Sequence, residues 1–203
     1  MNYAYETFTN LINDTRIIDS LYAHICKNTR ELIDVSDLLR WQWIQCVSAF
    51  DKLIHDLVRI GMIEIFNGAR EKTPKYSSFN IDITAYKSMS ESRNDAPFIL
   101  EKIILQKNGY RSFQDPDAVA DALSYIWNNK RKWAKLASQI KLPEDTCKIT
   151  LKNIIMRRNQ IVHEGDCIDR VLTKQIILHD DVEDVRNFIL DLGKAIYLCV
   201  KDA

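Results

Sequence analysis

Between Tyr5 and Ile25 the apolar residues Tyr5, Phe8, Leu11, Ile12, Ile18, Leu21 and Tyr22 recur at three- and four-residue steps, a pattern that predicts an amphipathic helix. A second helix is expected after Asp34 or Ser36, carried through Leu39, Trp43, Val47, Phe50, Ile54, Leu57, Val58 and Ile65 to a stop at Asn67-Gly68. At about thirty residues this rod would reach roughly 45 Å, the length of a bundle spine. Pro97 suits the first turn of a helix running to about Lys107 and closing at Asn108-Gly109. Pro116-Asp117 opens another, through Val119, Leu123, Ile126, Trp127, Trp133 and Leu136, with Lys130-Arg131-Lys132 interrupting its middle. Pro143-Glu144-Asp145 starts a helix whose buried side is Cys147, Leu151, Ile154, Ile155, Ile161 and Val162, and Gly165 ends it. After a turn from Asp166 to His179, Asp180 caps a last helix striped by Val182, Val185, Phe188, Ile189, Leu192, Ile196 and Cys199. No alternating pattern is long enough to read as a strand, so the expectation is an all-α bundle of long antiparallel helices.

The stretch from Ala69 to Pro97 breaks this rhythm with Lys, Thr, Pro, Ser and Asn. It predicts one irregular insertion, about 69–96, holding at most a short element around Phe79 to Tyr86. The length of 203 residues gives a single domain, 1–203, with room for a substantial core.

Composition sharpens the function classes. The 28 basic and 28 acidic residues cancel, so no whole-molecule field draws the chain onto nucleic acid or an anionic membrane, and any RNA contact must be a local basic patch. The five cysteines are scattered, with no C-x-x-C pair, which fits a reducing compartment. No basic leader precedes them and no apolar run approaches the roughly 20 residues of a membrane span, so a cytoplasmic location and no membrane partner are expected.

The chemistry concentrates in Met156-Arg157-Arg158-Asn159-Gln160-Ile161-Val162-His163-Glu164-Gly165. Arg158 and His163 stand five residues apart and diverge by roughly 140° on an ideal helix. They are expected to converge by a loosening of the last turn before Gly165. An imidazole that moves protons near neutral pH and a guanidinium that holds phosphate oxygens suit RNA cleavage by the 2′-hydroxyl, which needs neither metal nor cofactor. In-line cleavage takes one proton from the attacking oxygen and gives one to the leaving oxygen. One histidine does one of these, so a two-fold dimer that joins both His163 copies around the phosphate is the mechanistic expectation.

The segment Arg158 to His163 resembles the R-x4-6-H motif of HEPN domains, with Asn159 as the polar residue that commonly follows the Arg. Trp43 to Leu57 is similar to the early long helix of the RiboL-PSP-HEPN branch. The resemblance implies an HEPN-like helical homodimer with metal-independent endoribonuclease activity, in a bacterial defence or toxin-antitoxin setting with a cognate antitoxin or effector protein. Arg158, Asn159 and His163 are then the catalytic candidates. Gly165 stands where HEPN toxins paired with nucleotidyltransferases carry a Tyr, so regulation through that Tyr is not expected.

Other residues have plainer readings beside the functional ones. Arg157 is expected as a solvated neighbour that contacts phosphate, and Lys130, Arg131 and Lys132 as a further RNA contact or simply a wet face. Asp51 and His55, one turn apart on the long helix, either orient the motif Arg or form a local pair. Trp41, Trp43, Trp127 and Trp133 read as core before they read as base-stacking platforms, and Cys46 and Cys199 as small core residues. His163, Asp166 and Cys167 lack the spacing of a zinc site. The rival to the nuclease is a non-catalytic module that binds RNA, a nucleotide or a partner protein through the same motif.

Overall fold

The computed structural model describes residues 1–30, 32–168, 173–201 and 203. The described residues are helical apart from turns and a single antiparallel bridge between Cys167 and Lys174. The all-α bundle expected from periodicity is the observed architecture.

Three long helices make the frame: α1 (Asn2–Thr29), α2 (Asp37–Phe66) and, at the far end of the chain, α9 (His179–Lys201). α1 packs along α2, and α9 closes on both. Phe8, Ile12, Val47, Phe50, Leu53, Leu57, Ile189, Leu192 and Ile196, all at most 1% exposed, form the centre of this core. Gly193 lets α9 approach closely, because a Cβ there would lie 2.5 Å from the Phe8 ring. A polar cluster crosses this interior. Arg186 on α9 is fully buried and is satisfied by Thr15, Gln42, Asp19 and Glu183.

α1 runs further than the 5–25 repeat suggested. It ends where Arg30 adopts φ 50° and returns its N–H to the Cys26 carbonyl. The insertion expected to be irregular contains α3 (Pro74–Ser77) and α4 (Ile83–Glu91) before α5 (Ala96–Asn108). Caps explain this departure. Thr73 Oγ1 accepts the Tyr76 N–H at 3.0 Å and Asp82 Oδ1 accepts the Ala85 N–H at 2.7 Å, so polar residues that suggested loop act as helix starts.

The single helix expected from Pro116 to Leu136 is two, α6 (Pro116–Leu123) and α7 (Lys132–Gln139). The interruption falls earlier than the basic run alone implied. Asn129 Oδ1 accepts the Arg131 N–H at 2.7 Å, and this local turn competes with helix and leaves Lys132 to begin α7. Trp127 within the break and Trp133 just after it are core, as are Cys46 and Cys199. Burial pushes the Cys46 thiol up to about 12. Trp43 is half-buried, whereas Trp41 is 42% exposed.

α8 (Glu144–Glu164) lies against α2 and α7 and buries Cys147, Leu151, Ile154 and Ile155. The expected buried side stops there, since Val162 is 46% exposed. The turn predicted between Asp166 and His179 is described at its two ends, and its middle, 169–172, lies outside the described residues.

Candidate functional site

The tail of α8 is fixed from three directions. Trp43 on α2 donates its indole N–H to the Ile154 carbonyl at 2.9 Å, one turn before Arg158. Beyond the helix, Gly165 takes the left-handed conformation at φ 63°, and the N–H groups of Gly165 and Asp166 both reach the Gln160 carbonyl. Asp166, at φ 60° and with no exposed surface, accepts from Arg40 Nε at 2.7 Å and Arg157 Nη2 at 2.9 Å. The same two arginines reach Gln175, Arg40 at its carbonyl and Arg157 at its side-chain oxygen, which fastens the returning chain to α2 and α8.

This anchoring overturns one expectation. The last turn of α8 does not loosen, because it stays α-helical through Glu164. Termination is completed one residue later, by the left-handed Gly165 and the two bonds to Gln160, so His163 has no need to leave the helical surface.

Arg158 instead meets the residue that follows it. Arg158 Nη1 donates to Asn159 Oδ1 at 2.9 Å. Asn159 and His163 are four residues apart and share a face one turn from each other. The bond thus ties the guanidinium to a residue one turn before His163 on its face. His163 is exposed and forms no hydrogen bond or ion pair with a described residue. Arg158 has no carboxylate partner among the described residues, in contrast with Arg40, Arg157 and Arg186.

The remaining candidates separate. Arg157 is not a solvated neighbour: its bonds to Asp166, Gln175 and the Ile176 carbonyl make it a clamp on the chain that follows the motif, and phosphate would have to compete with Asp166 for it. Asp51 and His55 serve the α5–α6 connection. Asp51 Oδ1 accepts the Phe113 N–H at 2.6 Å, and the His55 ring packs tilted against Phe113 with centroids 4.4 Å apart, lies 3.1 Å from the Arg111 carbonyl and is 3.6 Å from Asp51. Among the described residues no hydrogen bond or ion pair ties this pair to Arg158. Lys130, Arg131 and Lys132 line a cleft shared with Glu144 and Lys148 in the first turns of α8. Ten residues of helix, about 15 Å, separate Lys148 from Arg158, so the basic run lies toward the opposite end of α8 from the motif.

A family model described as RiboL-PSP-HEPN matches residues 9–202. The chain belongs to the RiboL-PSP-HEPN family. Neither a curated protein nor a solved structure matches it. Within this HEPN domain the match spans both the long α2 and the α8 tail, the two segments on which the resemblance rested. No helix among the described residues is long and apolar enough to cross a membrane.

Arg40 and Asp166, which fasten the chain that follows the motif, are not among the sequence candidates. Arg40 follows Leu39 and precedes Trp41 on a largely apolar helix, and a cation at such a position signals a buried partner. Asp166 directly after a helix-ending glycine was read only as part of a weak metal cluster. Its carboxylate faces two guanidinium groups instead.

Proposed function

We propose that this HEPN protein is a metal-independent endoribonuclease whose site forms across a homodimer, with His163 as the proton-transfer group and Arg158, steered by Asn159, as the clamp on the scissile phosphate. The observation that carries this reading is a guanidinium with no carboxylate partner among the described residues, bonded to Asn159, one turn before an exposed imidazole. Such a guanidinium is free to meet an anionic phosphate, and such an imidazole can exchange protons with solvent and substrate.

The chemistry balances with two copies. One imidazole takes the 2′-hydroxyl proton as that oxygen attacks phosphorus, the partner's imidazolium protonates the departing 5′-oxygen, and the product carries a 2′,3′-cyclic phosphate. Arg158 from each chain faces the charge that builds on the phosphate oxygens. An outward row on α8 supports the pairing: Ile149 (58% exposed), Met156 (51% exposed) and His163 follow at seven-residue steps. Two copies that meet along this row bury apolar surface and bring the motifs together. The proposed setting is bacterial defence or a toxin-antitoxin pair, with RNA as substrate and an antitoxin or effector protein as regulator.

Incubation of the protein with total RNA in EDTA tests this reading. The expected result is fragments ending in 2′,3′-cyclic phosphate, with rates that fall as salt rises. RNA retained on the protein without fragmentation would instead assign the motif to binding alone.

A further inference from the structure

The cleft at the opposite end of α8 is a feature the motif does not use. It has a volume of about 580 Å³, within the range of roughly 300–1,000 Å³ typical of small-molecule sites. Five cations line it, Lys75, Lys130, Arg131, Lys132 and Lys148, against two carboxylates, Asp121 and Glu144. Both carboxylates are already engaged, Asp121 with Lys75 and Arg111, and Glu144 with Lys148. Lys130, Arg131 and Lys132 form no ion pair with a described residue. In a chain of zero net charge, this is a concentrated positive spot.

A second observation points to a ligand. Trp127 is only 5% exposed and lines the cleft, yet its indole N–H donates to no described residue. The indoles of Trp43 and Trp133 each donate to a backbone carbonyl, of Ile154 and Pro116. Lys132 and Lys135 sit over the Trp127 ring at 5.8 and 5.6 Å, so cations already occupy the space over that ring. Burial also pushes the Lys132 ammonium below the usual lysine range, opposed by Asp121 and reinforced by Lys75. A bound anion would relieve that cost.

We propose that this cleft is a second ligand site, for a nucleoside phosphate: Lys130, Arg131 and Lys132 hold the phosphate, and the Trp127 N–H donates to a carbonyl or ring nitrogen of the base. A bare phosphate would use the cations but leave the indole and most of the volume unfilled. The same chemistry is offered by a free nucleotide and by the phosphorylated end of a strand. The site stands independently of the nuclease reading, since it shares no residue with Arg158, Asn159 or His163.

Calorimetric titration of the full chain in EDTA with AMP, ATP, inorganic phosphate and a short oligodeoxynucleotide, with and without a 5′-phosphate, tests it. The deoxy strand lacks the 2′-hydroxyl and survives any cleavage. Binding of AMP or ATP is expected to weaken about tenfold or more in a Lys130→Ala/Arg131→Ala protein, about fivefold in Trp127→Phe, and not at all in His163→Ala. AMP binding identifies a free nucleotide as sufficient, and binding of the phosphorylated strand alone identifies a strand end. The lysine and arginine at 130 and 131 are exposed, so their replacement leaves the fold intact. Absence of binding by every probe, inorganic phosphate binding as tightly as AMP, affinity unchanged by the double replacement or by Trp127→Phe, or loss in His163→Ala would each overturn the proposal.

Discussion

A His163→Ala protein is expected to cleave RNA at least about a hundredfold more slowly than wild type, the usual worth of a positioned acid or base, while melting at the same temperature. The side chain is exposed and bonded to no described residue, so its removal costs no packing and no hydrogen bond. Arg158→Ala is expected to lose a comparable factor, because an unpaired guanidinium contributes most to a transition state whose charge it neutralises. Asn159→Ala should fall between Arg158→Ala and wild type, since it leaves the guanidinium present but unsteered. Cleavage rates on one defined RNA, measured beside thermal melting, separate these effects. An unchanged rate in His163→Ala removes the imidazole from the chemistry.

Replacement of Asp166 is expected to give the largest loss of stability near the site. Its buried carboxylate is the shared partner of Arg40 and Arg157, and deleting one member of a buried ion pair costs about 3–5 kcal/mol. Asp166→Ala adds backbone strain of about 1–2 kcal/mol at φ 60°. Asp166→Asn separates the two contributions, because asparagine accepts the left-handed conformation and nearly preserves volume but removes the charge. Asn is therefore expected to be destabilising and Ala more so. Urea denaturation reads the midpoint, and cleavage assayed well below it reads the consequence for the tail of α8. A midpoint unaltered by Asp166→Asn would mean that the Arg40–Asp166–Arg157 cluster does not hold the motif in place.

The bundle was legible because its signal is redundant. α2 announces itself through eight apolar positions in register, and a helix of that length survives errors at either end. Helix ends were harder, since they turn on single hydrogen bonds: Thr73 and Asp82 start helices inside a stretch whose composition reads as loop. The α6–α7 break lay behind the same difficulty, in one Asn129 side chain that competes with the helix. At the site, the residue types of the motif could be read and their geometry could not. A regular helix separates Arg158 from His163, and nothing in the spacing reveals that Arg158 bonds to Asn159. Arg157 reads from sequence as a solvated neighbour of Arg158, but its role is set by Asp166 and Gln175, which come into contact only through the chain that folds back from the end of α8.

The shared site is tested most directly by mixing. Wild-type and His163→Ala chains, denatured together and refolded at varying ratios with total protein held constant, form mixed dimers in binomial proportion. If both imidazoles act on one phosphate, activity follows the square of the wild-type fraction, about a quarter at equal amounts. Activity that falls in simple proportion, to about half at that point, would show that each chain cuts alone.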